Sequence, residues 1–361
     1  MLKRTLLVIA LIVPALMRAE SIEPVLVSKL PQADPLPPPI ELATPSAAQP
    51  SSAPAVFAPA SVAQAPAAES AGSARVPNVP ASSPRLTFTD PDDEAVARQR
   101  ALRLRSAAAL VVDQQVGQLL YAKNTDAVMP IASITKLMTA MVVLDSGQPL
   151  EELITLEPAD VDLLKGTRSR LKVGMTLSRR ELLKLALMAS ENRAAAALAR
   201  SHPGGTGAFV QSMNQKAANL GMRDTRFLDA TGLNPGNVST AQDLAVMVSA
   251  GYQYPLIREF TTSDSHRIAV TERRYARVVS FRNSNGLVRS KQWDIGLSKT
   301  GYISEAGRCL VMQANIAAKP VIIVLLDSWG KLSRIGDANR IKRWVEGLVL
   351  PAATTRKPRI G

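Results

Sequence analysis

The chain has 361 residues, a formal net charge of +13 and aromatic side chains at only 4% of positions. Its single cysteine, Cys309, excludes an intramolecular disulfide. Its two histidines, His202 and His266, have no convincing partners in sequence, which argues against a Ser-His-Asp triad and against a metal centre.

Lys3 and Arg4 precede an apolar run, Leu6 to Met17, interrupted by Pro14. This is the pattern of a secretory signal over residues 1–19, too short for a comfortable membrane span. Ala19 offers a cleavage point, but Met17 and Arg18 flank it poorly, so cleavage and retention as an anchor both stay open. No cysteine follows the run, which excludes lipoprotein anchoring. Export to the periplasm is the expectation. Residues 20–85 are dominated by Pro, Ala and Ser, as in Pro35-Leu36-Pro37-Pro38-Pro39. Such a segment buries too little apolar surface to offset chain entropy and is expected to be a disordered linker. With the three basic residues of the signal and the net −2 of the linker set aside, residues 86–361 carry +12. That balance either serves solubility and steering alone or asks for an acidic partner. An exported chain poor in aromatics turns the expectation from nucleic acid to an anionic polymer or membrane surface.

Residues 86–350 are expected to form the working domain, followed by a basic tail over 351–361. Ala108 to Val112 and Leu119 to Tyr121 read as a hairpin joined near Gln114-Gln115-Val116-Gly117. After Pro130, Leu137, Met138, Met141, Val142 and Leu144 are apolar at helical spacing and predict a buried helix that starts near Ser133. Leu177 to Leu187 predicts a second helix, opened by the capping box Ser178-Arg179-Arg180-Glu181. An alanine-rich helix follows from near Arg193. Further helices are expected over Phe209 to Leu220, closed by Gly221, and over Ala241 to Ser249. Ile268 to Phe281 reads as one long basic strand, and Trp293 to Tyr302 as another. Cys309 to Ile316 and Pro320 to Leu326 form an expected hairpin, which makes Cys309 a buried structural thiol. A last helix runs from about Asp337 to Leu348. Strands, then helices, then strands imply an α/β (α+β) domain whose sheet is completed from both ends.

Three short motifs carry chemistry. They are Ser133-Ile134-Thr135-Lys136, Ser190-Glu191-Asn192 and Lys299-Thr300-Gly301, in that order. Residues three apart on a helix share a face, so Ser133 and Lys136 can meet. A serine hydroxyl needs a base, and a lysine serves only if burial or positive charge lowers its pKa. Lys299 is expected to be such a neighbour. The free N–H groups at the helix start favour a developing oxyanion. Ser-x-x-Lys alone is weak, since Ser169 to Lys172 and Ser328 to Lys331 also match, and Ser212-Met213-Asn214 matches the middle motif. Order and context carry the reading, because Lys-Thr-Gly occurs once.

These motifs, with Leu187 to Ala196, Asp229-Ala230-Thr231-Gly232-Leu233 and Leu297 to Tyr302, resemble the low-molecular-mass penicillin-binding proteins. This is the D-alanyl-D-alanine carboxypeptidase and endopeptidase family, and the likeness spans residues 105 to 347. Glu191 in the middle motif resembles the endopeptidase branch, the penicillin-binding protein 7 type. The resemblance implies a β-lactamase-like D,D-peptidase fold: an antiparallel sheet covered by helices, a helical subdomain, and an active site between them. It implies Ser133 as nucleophile, Lys136 as general base and Ser190 as proton relay to the leaving amine. It further implies that Asn192 holds Lys136 and the substrate amide, that Lys299, Thr300 and Gly301 bind the substrate, and that the N–H groups of Ser133 and Tyr302 form the oxyanion hole. No cofactor and no metal are implied. The implied partners are cross-linked peptides of peptidoglycan, with β-lactams as covalent inhibitors and wall polymer or a membrane surface as an anionic contact. A carboxypeptidase is the alternative. A β-lactamase is disfavoured because no Glu-x-x-x-Asn loop follows the second motif. A penicillin-sensing domain would be tied to a membrane signalling region, and a wall-binding scaffold would not need the trio. No second all-β domain and no amphipathic C-terminal anchor are expected.

Overall fold

A computed structural model describes residues 86–89, 102–272 and 275–349. The signal, linker and tail expectations, over 1–19, 20–85 and 351–361, lie outside these residues. Among the described residues no helix is long and apolar enough to cross a membrane.

The frame is a five-stranded sheet. Its strands are β1 (Ser106–Asp113), β2 (Leu119–Lys123), β9 (Asp294–Ile303), β10 (Gly307–Ile316) and β11 (Lys319–Ser328), in the order β2-β1-β11-β10-β9. All neighbours are antiparallel, and β1 meets β11 from Ser106↔Ser328 to Asp113↔Val321. The first and last stretches of the domain therefore share one sheet, as expected. Its central strands are apolar without alternation because both faces are covered. Leu110, Val112, Val324 and Leu326 face the large helical core. Ala109, Val111, Ile323 and Leu325 face α7 (Ser333–Val349) through Ala338, Ile341 and Val345. Asp337 of α7 is fully buried and accepts from the Ser106 backbone N–H at 2.8 Å and its hydroxyl at 2.7 Å, which fixes α7 to the start of β1.

The remaining helices are α1 (Lys136–Asp145), α2 (Arg179–Met188), α3 (Asn192–Arg200), α4 (Gly205–Leu220), α5 (Ala241–Gly251) and α6 (Pro255–Thr262). The capping box holds: Glu181 N–H donates to Ser178 Oγ, and Ser178 N–H to Glu181 Oε2, both at 3.2 Å. Gly221 closes α4 at φ +80°. Two further pairs frame the site, β3 (Met129–Pro130) with β6 (Val238–Ser239), and β4 (Leu153–Thr155) with β5 (Thr176–Ser178).

Three elements differ from the sequence expectations. The long strand over Ile268 to Phe281 is a hairpin, β7 (Ser265–Glu272) and β8 (Tyr275–Arg282), in a two-stranded sheet of its own. Its sequence carries no Gly, Pro, Asn or Asp turn signal, which is why it reads as one strand. Helix α6 was not expected. It starts with Pro255 at its first position and buries only Ile257, Phe260 and Thr261. Helix α4 starts four residues before Phe209, on a Gly-Thr-Gly-Ala stretch of low helix propensity.

Candidate active site

The chain enters the site on β3 and makes a 3₁₀ turn, Ala132–Thr135, before α1. Ala132 sits at φ +47°, and Ser190, between α2 and α3, at φ +62°. Left-handed backbone at two non-glycine residues costs on the order of 1–3 kcal/mol each and persists only where the surroundings fix it. Around Ala132 the fixing is visible. Thr135 Oγ1 donates to Ala132 O at 2.8 Å and accepts from Asn237 Nδ2 at 3.0 Å. Gly232 packs so tightly behind this turn that a Cβ there would fall 2.0 Å from Ala132 O.

Lys136 is fully buried on the first turn of α1. Its Nζ lies 2.9 Å from Ser133 Oγ, and donates to Asn192 Oδ1 at 2.7 Å and to Thr231 O at 2.5 Å. Among the described residues no carboxylate bonds it directly. Burial brings its pKa down to about 7, against the opposing pull of Asp229, Glu191 and Asp162. Of the two routes expected to lower it, burial and a neighbouring positive charge, burial leads. Lys299, also buried, donates to Ser190 Oγ at 2.8 Å and to Thr300 O at 3.0 Å. Burial first, then the charges of Lys136 and Arg334, push its pKa well below the ordinary lysine range. Thr300 Oγ1 donates to Ser284 Oγ at 2.7 Å. The structure thus brings Ser133, Lys136 and Asn192 into one hydrogen-bonded group, and Ser190 and Lys299 into a second.

Strand β9 is a sheet edge, so part of its backbone is left unpaired by the sheet. Gly301 lets this edge approach the Ser133 turn. A Cβ there would lie 2.8 Å from Ile131 O and 3.2 Å from Ser133 N. Tyr302 follows with an exposed ring, stacked under the Arg308 guanidinium at 4.5 Å.

Several residues that matter here were given no role from the sequence. Arg334 reaches from α7 and donates to Gly301 O at 3.0 Å, adding a third cation. Asp229 gathers the N–H groups of Thr231, Gly232 and Asn234 at 2.5, 2.6 and 2.7 Å. That tight loop aims Thr231 O at Lys136. Thr167 accepts from Asn192 Nδ2 at 2.9 Å. Ser169, set aside as a chance motif match, donates to Glu191 Oε2 at 2.6 Å and so borders the middle motif. The other chance matches lie elsewhere: Ser328 is buried against Ser106, and Ser212 bonds its own helix. Cys309 is buried as expected, its thiol pushed up to about 11 by burial. His202 packs edge-on against Phe209, and no histidine bonds the Ser133 group. Among the described residues no group of three or more His, Cys, Asp or Glu is placed to hold a metal ion.

Comparisons with known proteins agree with this geometry. The D-alanyl-D-alanine carboxypeptidase family model (peptidase S11) matches residues 94–330. The D-alanyl-D-alanine endopeptidase of Pseudomonas aeruginosa is 50% identical over 243 residues, covering 67% of this chain and 78% of that protein. The protein of the same description from Escherichia coli is 45% identical over 249 residues, covering 69% and 80%. Among solved structures, the Streptomyces K15 DD-transpeptidase superposes with a TM-score of 0.64 at 30% identity, over 69% of this chain and 98% of that one. Helical and sheet layers, the Ser133–Lys136 pair and the sequence match converge, and the chain belongs to the D-alanyl-D-alanine carboxypeptidase family of serine peptidases.

Proposed function

We propose that this protein is a serine D,D-endopeptidase that hydrolyses D-alanyl-meso-diaminopimelyl cross-links in peptidoglycan through a Ser133 acyl-enzyme. The observation that carries it is a fully buried Lys136, near neutrality in pKa and 2.9 Å from Ser133 Oγ. Neutral Lys136 takes the hydroxyl proton as Ser133 Oγ attacks the D-alanyl carbonyl. The N–H groups of Ser133 and Tyr302 receive the oxyanion. Ser190, bonded to Lys299, passes a proton to the leaving amine as the C–N bond breaks. Asn192 holds Lys136 and the substrate amide. Lys299, Thr300 and Gly301 engage the substrate carboxylate and backbone, with Arg334 adding positive field behind the strand. Water then attacks the ester and Ser133 recovers its proton. A β-lactam enters the same path, and its acyl-enzyme clears slowly.

The cross-link preference is favoured by relatives at 50% and 45% identity, which are described as endopeptidases, and by a net +12 on residues 86–361 that attracts anionic wall peptide. The reading includes an export signal over 1–19, a tether over 20–85, a catalytic domain over 86–350 and a basic tail over 351–361, acting in the periplasm. Purified enzyme is expected to convert dimeric muropeptides to monomers, more slowly at high salt because exposed charges are screened. Release of D-alanine from a pentapeptide with dimers left intact makes it a carboxypeptidase instead.

A further inference from the structure

The bonding around Lys136 leaves an accounting question. Asn192 has an amide oxygen and an amide nitrogen of nearly equal shape, and only one orientation serves a base at Lys136. Something must decide which end faces the lysine. The candidate lies in the loop between β4 and β5. Asp162 accepts there from the N–H groups of Leu164, Lys165 and Thr167 at 2.9, 3.0 and 2.9 Å, and from Thr167 Oγ1 at 2.6 Å. Burial works against its charge, but these bonds, led by the Thr167 hydroxyl, hold its carboxyl below the usual range. Asp162 is therefore an acceptor only. Thr167 has one hydroxyl proton, and Asp162 takes it. What remains on Thr167 Oγ1 is lone pairs, so its contact with Asn192 at 2.9 Å requires the amide N–H₂ on that side.

The consequence passes along the chain of bonds. With its nitrogen held by Thr167, Asn192 must present Oδ1 to Lys136. Thr231 O is likewise an acceptor only. A neutral lysine has two N–H bonds and one lone pair. Its two N–H bonds go to Asn192 Oδ1 and Thr231 O, and the lone pair is left pointing at the remaining neighbour, Ser133 Oγ. We propose that Thr167, polarised by Asp162, is a positioning residue that fixes the Asn192 amide and thereby aims the Lys136 lone pair at the Ser133 hydroxyl. This rests on the reading of Lys136 as general base. Without the Thr167 hydroxyl the amide is free to turn. Its N–H₂ then faces Lys136 and occupies the lone pair that Ser133 needs.

The turned amide makes a second, distinct prediction. An N–H donor next to Lys136 favours the neutral amine and disfavours the ammonium. The other groups that set the charge of Lys136 are Asp229 from the loop before β6, Glu191 at the start of α3, Asp162 and, from β9, Lys299. Of these only Asp162 touches Thr167; it loses the hydroxyl bond in Thr167→Val and keeps the N–H bonds of Leu164, Lys165 and residue 167.

The test uses the full chain and the rate of acylation by a fluorescent penicillin, measured from pH 5.5 to 9. Thr167→Val is expected to lower the plateau rate by about 10- to 100-fold, part of what a positioned base supplies. It is also expected to move the acid limb of the profile to lower pH. Thr167→Ser, which keeps the hydroxyl, is expected to stay within about threefold of the parent in rate and to leave the limb in place. Three results overturn the proposal: a Thr167→Val rate within twofold of the parent, a Thr167→Ser rate as low as that of Val, or a lower rate with an unmoved acid limb. The last is the signature of a loop that has merely loosened. Failure of the parent enzyme itself to acylate in a Lys136-dependent manner would instead refute the general-base reading, so the two failures are separable.

Discussion

The rate of acylation should report the ionisation of Lys136 directly. Taking this lysine from its ordinary 10.5 to about 7 corresponds to about 5 kcal/mol against the ammonium form, at roughly 1.4 kcal/mol per pH unit. The source of that energy is desolvation: the side chain is fully buried and no carboxylate among the described residues bonds it. With a midpoint near 7, about a tenth of the enzyme holds neutral Lys136 at pH 6 and about nine tenths at pH 8. The second-order rate constant for a fluorescent penicillin, measured by stopped flow at constant ionic strength, should therefore rise about tenfold from pH 6 to 8 and then level off. Glu191 pulls the pKa of Lys136 upward, so Glu191→Gln should move the rising limb to lower pH. The same burial has a thermodynamic sign. The folded pKa lies below the unfolded one, so between about 7 and 10.5 the unfolded state binds more protons and this group makes stability rise with pH. A rate that is flat from pH 6 to 8, or that still climbs tenfold per unit above pH 9, refutes burial as the device that makes Lys136 a base.

Two further outcomes follow from the site's construction. Ser133→Ala should abolish covalent labelling by a fluorescent penicillin while the circular dichroism spectrum is kept, since only a hydroxyl leaves the 3₁₀ turn; labelling of the folded variant would remove Ser133 as nucleophile. Gly232→Ala puts a side chain at φ +80° with its Cβ 2.0 Å from Ala132 O, so it should cost about 2–4 kcal/mol in denaturant unfolding and slow acylation by displacing the Ser133 turn. A stable, fully active Gly232→Ala enzyme would mean that this packing does not hold the nucleophile.

Sequence reading reached the parts of the molecule where local chemistry and long-range packing agree. The runs Ala108 to Val112 and Pro320 to Leu326 are buried on both faces, so their apolar character alone marks them as strands. Ser178 and Glu181 announce a helix start within four residues, and Gly221 announces an end. The hairpin β7–β8 and helix α6 were missed because one lacks a turn residue and the other is only eight residues long. The site divides in the same way. Ser133 and Lys136 are legible because one helical turn brings them together. Asn192 and Lys299 are legible as motif members; the resemblance also supplies the hold of Asn192 on Lys136, 56 positions away, but not the bond of Lys299 to Ser190, 109 positions away.

What no local pattern can supply is the environment that turns these residues into chemistry. Lys136 is followed by Leu137 and Met138, and all three are fully buried. A lysine in such a run could be satisfied by a carboxylate and stay charged, as Lys216 is by Asp145. Lys136 differs because its bonding partners, Ser133, Asn192 and Thr231 O, are neutral, and each is delivered by a different segment: the 3₁₀ turn, the start of α3 and the Asp229 loop. The nearby carboxylates act on it only at a distance, since Glu191 is engaged by Ser169, Asp162 by Thr167, and Asp229 by its own loop. Each acid is occupied by hydroxyls or backbone N–H groups and so kept out of contact with Lys136. The base is thus made by what the fold withholds from Lys136 as much as by what it brings near, and a motif records only the second.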